Sequence, residues 1–290
     1  RTGATILSSP TFGYRHYLKV LGDRNQDDLD LSSVRLIFNG AEPISATLCR
    51  EFLERMAGTG LRPAAMHPVY GLAEASLAVS FPALGSEVRS LHLDRRHLNV
   101  GEAAVTAPPG EAASVEFVAE GRAIPYCELR VVGDDDRPVA ERHVGHIQIR
   151  GDNVTRGYFE APEVNAAAFT ADGWLRTGDL GLIDAGEIVV TGRAKEIIFV
   201  NGQNYYPHDL EAIAEAAEGL ELGKVAAAGC RPPGAETDEL VMFVLHRGSL
   251  EDFVPVALAV TRRVNEHAGL EVAQVVPVKR IPKTTSGKVQ

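Results

Sequence analysis

Five short segments carry residue types suited to phosphate and carboxylate chemistry. They are Asn39-Gly40-Ala41-Glu42-Pro43, Tyr70-Gly71-Leu72-Ala73-Glu74, Arg176-Thr177-Gly178-Asp179, Gly192-Arg193-Ala194-Lys195-Glu196 and Pro282-Lys283-Thr284-Thr285-Ser286-Gly287-Lys288. Gly40 and Gly71 lack a Cβ, which lets a ligand approach the backbone closely. Tyr70 offers a flat ring on which a purine can stack. Glu74 is a hard oxygen ligand of the kind that holds Mg²⁺ beside a triphosphate. Asp179 has two acceptor oxygens, suited to a pair of ribose hydroxyls, and Arg193 donates in the opposite sense. Lys288 follows Ser286-Gly287 on a predicted loop and suits an oxyanion whose charge grows in a transition state. Taken singly, each segment reads as structure more readily than as a site. Tyr70 then becomes a buried aromatic, Asp179 a turn cap, Lys195-Glu196 an exposed ion pair of little worth, and Lys288 a solvated lysine. The chemistry lies in the set.

Other sites are excluded by spacing. Ser286-Gly287-Lys288 resembles the end of a Walker A loop, but Pro282 stands where that loop needs Gly and Val289 where it needs Ser or Thr. No H-E-x-x-H occurs, and His143 and His146 flank an alternating strand as surface residues. No G-x-S-x-G elbow starts a hydrolase triad. Cys49, Cys127 and Cys230 are far apart, so neither a zinc ribbon nor a disulfide framework is implied; they read as reduced thiols of a cytoplasmic protein. The chain has 29 basic and 39 acidic side chains, a net charge of −10. That disfavours non-specific nucleic-acid binding, which needs basic surface. No apolar run is long enough to span a membrane.

The elements that must position these residues follow from apolar periodicity. Leu36-Ile37-Phe38 reads as a buried strand ending in a turn at Asn39-Gly40. Ser45 suits an N-cap; Leu48, Cys49, Phe52, Leu53 and Met56 then recur at helical spacing, with Gly58 ending the run. From Val115 to Arg150 the pattern changes to short strands, with Leu129, Val131 and Val132 before Gly133-Asp134-Asp135-Asp136 and Ile147 and Ile149 after. That acidic run reads as a solvated hairpin turn rather than a metal site. A strand is expected over Ile197–Val200. A helix follows, opened by Pro207, with Leu210, Ile213, Ala214 and Ala217 on one face and Gly219 at its end. Val241–Leu245 and Val272–Val278 read as strands, around a helix marked by Phe253, Val256, Val260 and Val264 and stopped at Gly269. The boundary of this last α+β unit falls near Arg193–Lys195. The 290 residues thus divide into two domains, 1–194 and 195–290, of α/β class.

In this order and spacing the five segments resemble the acyl-adenylating superfamily of acyl-CoA synthetases, luciferases and peptide-synthetase adenylation domains, over essentially the whole chain. The resemblance implies that residues 1–194 are the rear part of a large AMP-binding N-terminal domain, mixed α/β with a small β subdomain. Residues 195–290 become a small mobile α+β C-terminal domain. The family's glycine- and Ser/Thr-rich phosphate loop has no match here, so Arg1 is expected to lie inside the large domain. Asn39-Gly40-Ala41-Glu42-Pro43-Ile44, Tyr70 to Leu77, Ser9-Pro10-Thr11-Phe12-Gly13-Tyr14 and Gly202 to Glu211 are most similar to the fatty acyl-AMP ligases, and the segment containing Asp94-Arg95-Arg96-His97-Leu98 lies where that group carries an insertion.

The resemblance implies roles residue by residue. Tyr70 and Gly71 meet adenine, and Asn39, Gly40, Ala41 and Glu42 line its pocket. Asp179 and Arg193 bind ribose, Glu74 binds Mg²⁺, Phe12 borders the acyl pocket, Lys195 is the hinge, and Lys288 is the catalytic adenylating lysine. The activity implied is ATP-dependent conversion of a fatty acid to acyl-AMP and transfer to the phosphopantetheine thiol of an acyl carrier protein. The insertion is expected to disfavour free CoA. An acyl-CoA synthetase is the alternative. Amino-acid activation is less well supported, because no acidic residue is placed to hold an ammonium group. The 290-residue chain by itself, without the phosphate loop, is expected to be poorly soluble or inactive.

Overall fold

The computed structural model describes residues 3–22, 24–26, 28–217, 220 and 223–282. Gly219 and the catalytic candidate Lys288 lie outside the described residues. Two compact units form: Arg1–Leu91, Val100–Ala103 and Glu116–Thr191 make the first, and His92–Asn99, Ala104–Val115 and Gly192–Gln290 the second. The grouping is discontinuous along the chain, unlike the contiguous division expected from the apolar pattern.

The first unit opens with a parallel sheet of β1 (Ile6–Ser9), β2 (Leu36–Asn39) and β3 (Met66–Pro68) in that order. Parallel neighbours need crossover connections, and α1 (Thr11–Leu21) and α2 (Ala46–Met56) supply the helical parts. Ser45 caps α2 as expected, its Oγ accepting from Leu48 N at 3.2 Å. Leu48, Cys49, Phe52 and Met56 are buried together with Ile37 and Met66, and Tyr14 meets Phe52 edge-on at 5.1 Å. The helix ends at Met56, the last residue of the apolar run. A 3₁₀ turn, Ala57–Thr59, tightens its end, with Thr59 Oγ1 donating to Met56 O at 2.7 Å, and Gly60 takes the left-handed conformation.

The chain continues through β4 (Tyr70–Leu72), β5 (Leu77–Phe81), β6 (Ser90–Asp94), β7 (Ser114–Val118) and β8 (Arg122–Ala123). Strands β4, β5 and β8 form an antiparallel sheet. A second sheet follows the order β12-β11-β10-β9, built from β9 (Cys127–Val132), β10 (Gly145–Gly151), β11 (Leu175–Asp184) and β12 (Glu187–Arg193), with α3 (Pro162–Ala168) preceding β11. The acidic run after β9 is a turn as expected, closed by Asp136 N on Gly133 O at 3.1 Å. Its carboxylates pair with His146 and Arg176. No group of three metal-ligating side chains occurs among the described residues.

In the second unit β13 (Ile198–Val200) and β14 (Gln203–Tyr205) form a hairpin. Its two turn residues, Asn201 and Gly202, have φ of 52° and 81°, the Asn-Gly preference of a two-residue turn. Pro207 opens α4 (Pro207–Glu215) as expected. Then come β15 (Val225–Cys230), β16 (Glu239–Leu245), α5 (Leu250–Ala268) and β17 (Val272–Val278). Ser249 Oγ caps α5 by accepting from Asp252 N at 3.1 Å, and Gly269 ends it in the left-handed region. The sheet order is β15-β16-β17, antiparallel then parallel. Leu210, Ala214, Met242, Phe253, Val260 and Val264 form the core between α4, α5 and the sheet. Each such buried side chain contributes about 1.5–3 kcal/mol.

A buried cation explains why upstream residues belong to this unit. Arg95, 5% exposed, donates from Nη2 to Asp209 Oδ2 at 2.8 Å and to Ser114 O at 3.2 Å, and from Nη1 to His267 O at 2.9 Å and to Ala112 O. Tyr206 Oη donates to Leu98 O at 3.3 Å. A guanidinium has five N–H donors and no acceptor, so one arginine ties its own segment to α4 and to the end of α5.

Candidate nucleotide site

Two β-bulges bring two of the five segments together. Between β10 and β11, His146 pairs with Leu180 and Gln148 with Arg176. One residue of β10, Ile147, therefore faces three of β11: Thr177, Gly178 and Asp179. Gly178 has φ 78°, a region open to glycine. Thr177 Oγ1 donates to Ile147 O at 2.9 Å and accepts from Asp179 N at 3.1 Å. Between β4 and β5, Tyr70 pairs with Ser80 but Gly71 with Ala78. Bulges re-aim side chains beside the ladder. The result is a buried pair, Tyr70 Oη donating to Asp179 Oδ2 at 2.6 Å across 109 positions of sequence. Burial, reinforced by Asp179, holds the Tyr70 phenol well above its ordinary range. Tyr70 is 7% exposed and its ring belongs to the cluster with Val79, Ile147, Ile149 and Leu175.

The glycines of these segments are also required by the protein's own backbone, independently of any ligand. A Cβ on Gly71 would lie 1.8 Å from Leu77 O, and one on Gly40 would lie 2.5 Å from Val69 O. Neighbouring Ala41 has φ 69° without being glycine, a conformation that costs energy outside glycine. Asn39 is buried, its Oδ1 accepting from Thr11 Oγ1 at 3.2 Å and its Nδ2 lying 3.4 Å from Cys49 Sγ. Burial pushes the Cys49 thiol up to about 11. Glu42 accepts from Phe12 N in the first turn of α1, where a negative charge complements the helix dipole. The structure thus joins the 39–42 loop to Phe12, whose ring is partly exposed.

Glu74 lies in a 3₁₀ turn, Ala73–Ala75, followed by Ser76 and Leu77 with φ of 50° and 93°. Its Oε1 accepts from Tyr158 Oη at 2.7 Å and its carbonyl from Thr155 N at 2.7 Å. Asn153 Nδ2 donates to Ala75 O and Ala78 O. The turn is therefore held from residues 153–158, which the sequence reading missed. A single oriented carboxylate fits Mg²⁺, which keeps its waters and shares substrate phosphate oxygens, and does not fit a closed protein cage. Arg193 and Lys195 belong to the second unit, both exposed, Lys195 in the 3₁₀ turn Ala194–Glu196.

Glu120 was also missed. It is 6% exposed. Its carbonyl accepts from Ser80 Oγ at 2.8 Å and its N–H donates to Ile188 O at 2.8 Å. Burial first, and Asp179 second, push its carboxyl well above the usual carboxylate range.

These segments lie in a chain that belongs to the AMP-binding enzyme family, whose model matches residues 1–159. It is 37% identical over 292 residues to a Caulobacter vibrioides protein named provisionally as an acyl-CoA synthetase, covering 100% of this chain and 51% of that one. It is 34% identical over 312 residues to the long-chain-fatty-acid–AMP ligase FadD26 of Mycobacterium tuberculosis, covering 100% and 52%. A solved structure from work on the fatty acyl-adenylate ligases of E. coli and L. pneumophila superposes with a TM-score of 0.88 at 34% identity, covering 99% of this chain and 52% of that one. The chain spans about half the length of these relatives. Mixed α/β architecture matching adenylate-forming structures agrees with the fold class expected from the sequence. No helix among the described residues is long and apolar enough to cross a membrane.

Proposed function

We propose that the whole protein is a fatty acyl-AMP ligase, with this chain supplying the adenine and ribose contacts, the adenylating lysine and the small domain. A fatty carboxylate oxygen attacks the α-phosphorus of ATP, and pyrophosphate leaves with the bonding electrons. The thiol sulfur of a carrier protein's phosphopantetheine arm then attacks the acyl carbonyl carbon, giving a thioester and AMP. The observation that carries this reading is the Tyr70–Asp179 pair, which unites two of the five segments in one buried site. The named relatives favour fatty acids as the substrate class.

Asn39 to Glu42 and Gly71 border adenine with Tyr70. Asp179 accepts from ribose hydroxyls, Arg193 adds a donor, and Phe12 borders the acyl chain. Glu74 would hold Mg²⁺, which would neutralise phosphate charge. Lys288 donates to the α-phosphate oxygen as its charge grows. Rotation about Lys195 separates the two half-reactions. The carrier protein, rather than CoA, is the acceptor, and the reaction is cytoplasmic.

The test uses the full-length protein with ATP, Mg²⁺, a fatty acid and excess CoA, with products read by mass spectrometry. Acyl-AMP that accumulates without acyl-CoA supports the ligase reading; rapid acyl-CoA formation gives the site to an acyl-CoA synthetase, the function named for the Caulobacter relative. Lys288→Ala is expected to abolish acyl-AMP formation while sparing transfer from pre-made acyl-AMP. Equal loss in both steps removes the lysine from its role.

A further inference from the structure

Tyr158 lies outside all five segments and has no part in the reaction above, yet the chain on both sides of it is arranged to aim its hydroxyl at Glu74. On one side is Asn165 in α3, whose side-chain amide closes both backbone groups of Tyr158. Its Oδ1 accepts from Tyr158 N at 2.7 Å and its Nδ2 donates to Tyr158 O at 2.9 Å. Gly157, with φ 144°, lies against that amide, and a Cβ there would lie 3.0 Å from Asn165 Oδ1. On the other side Thr155 N donates to Glu74 O at 2.7 Å, and Thr155 Oγ1 donates to Gly157 O at 3.1 Å. Asn153 Nδ2 donates to Ala75 O at 3.0 Å and to Ala78 O at 2.8 Å. Residues 153, 155 and 158 thus hold the turn that carries Glu74 by three carbonyls and one carboxylate, and all of them belong to the first unit.

We infer that Tyr158 is a positioning residue for Glu74: its hydroxyl fixes one oxygen of the Glu74 carboxylate and so leaves the other oriented for Mg²⁺. This rests on the reading of Glu74 as the Mg²⁺ ligand.

The terminal torsion of a glutamate side chain is broad and roughly two-fold, so a carboxylate without a partner presents its oxygens in many directions. Tyr158 Oη donates to Glu74 Oε1 at 2.7 Å, and that bond narrows the torsion. Oε2 has no protein partner among the described residues. The donor is neutral: a Lys or Arg in its place would orient the carboxylate too, but would also compete with a cation for its charge. The backbone beneath Glu74 is held as well. Ser76 and Leu77 follow it with φ of 50° and 93°, conformations that persist only where the surroundings impose them, and Asn153 and Thr155 supply those surroundings. Mg²⁺ demands near-octahedral oxygens and gives up its waters reluctantly, so a site with one protein carboxylate depends on how that carboxylate is aimed. Losing a partner that orients a ligating group costs about 10–100-fold in metal affinity. Tyr158 is 39% exposed, so water competes for the bond and the lower figure applies.

The experiment measures ATP binding to the full-length protein by calorimetry at stepped Mg²⁺ concentrations, and AMP binding without Mg²⁺, for wild type, Tyr158→Phe and Glu74→Gln. Tyr158→Phe removes one oxygen from a half-exposed ring and keeps the ring itself. It is expected to raise the Mg²⁺ concentration that half-maximally tightens ATP binding by about tenfold, with the dissociation constant for AMP unchanged. Asn165→Ala, which frees the backbone of Tyr158 and leaves its hydroxyl intact, is expected to shift the Mg²⁺ curve in the same direction. A wild-type Mg²⁺ curve in Tyr158→Phe overturns the proposal. So does an equal loss of AMP and ATP affinity, which marks Tyr158 as a support of the fold alone. Wild-type Mg²⁺ dependence in Glu74→Gln overturns the metal reading of Glu74 and the proposal with it, and this failure is told apart because it appears in the Glu74 variant whatever Tyr158 does.

Discussion

Asp209 and Glu120 are both buried carboxylic acids, and burial holds both above the usual carboxylate range. Asp209 lies in the second unit against a guanidinium that makes three contacts with it between 2.8 and 3.1 Å. Glu120 lies in the first unit against another acid, Asp179. The same desolvation cost is met in different ways. Around Asp209 it is offset by an opposite charge whose remaining N–H groups are spent on carbonyls, so the pair ties segments together. Around Glu120 a neighbouring charge is of the same sign, and it adds to the cost of ionising the group. A buried acid with a cation ties segments of the fold together; a buried acid beside a like charge carries its desolvation cost without that return.

The sharpest way to break the comparison is to remove the cation. Arg95→Met in the full-length protein is expected to cost about 3–5 kcal/mol, because it leaves Asp209 buried without its partner. Denaturant unfolding measures this, and adding Asp209→Leu should restore much of the loss. If the single variant is as stable as wild type, the staple is ornamental. Next in size is Tyr70→Phe, which takes a donor from a charged acceptor and should cost about 1.5–3 kcal/mol. It should also weaken AMP binding, since Asp179 loses the contact that orients it. An unchanged dissociation constant for AMP would detach the pair from the nucleotide site. Smallest is Ser80→Ala, which removes a neutral bond to Glu120 O worth about 0.5–1.5 kcal/mol. Its expected signature is a small drop in the midpoint of denaturant unfolding. An unmoved midpoint would mean that the Ser80 bond to the Glu120 carbonyl adds nothing to the sheet.

Legibility in the sequence followed distance along the chain. Strand β2, the Ser45 cap, the Pro207 start of α4, the Gly269 stop of α5 and the acidic turn after β9 all follow from neighbours a few residues apart. Strand β15 was missed because Ala226-Ala227-Ala228-Gly229 lacks the β-branched side chains that mark a strand; it exists because it pairs with β16 along its whole length. Helix α2 ends at Met56, the last residue of its apolar run, and a tighter turn that contains Gly58 closes it. Gly40 and Gly71 were singled out for ligand approach, and the structure adds a second demand: a Cβ there would clash with Val69 and Leu77 of the same chain, a contact no residue count reveals.

The sequence by itself determined the elements, the class of fold and the five segments whose order marks the family, because apolar period, caps and turn residues are local signals. Only the tertiary structure decided that Tyr70 and Asp179 form one pair, that Glu120 stands beside them, and that Arg95 belongs with Asp209. The Tyr70–Asp179 and Arg95–Asp209 contacts join residues about a hundred positions apart, and the first depends on bulges that shift strand register by a residue or two. The cost of a buried charge depends on what surrounds it in three dimensions, so the state of these acids is a property of the folded chain.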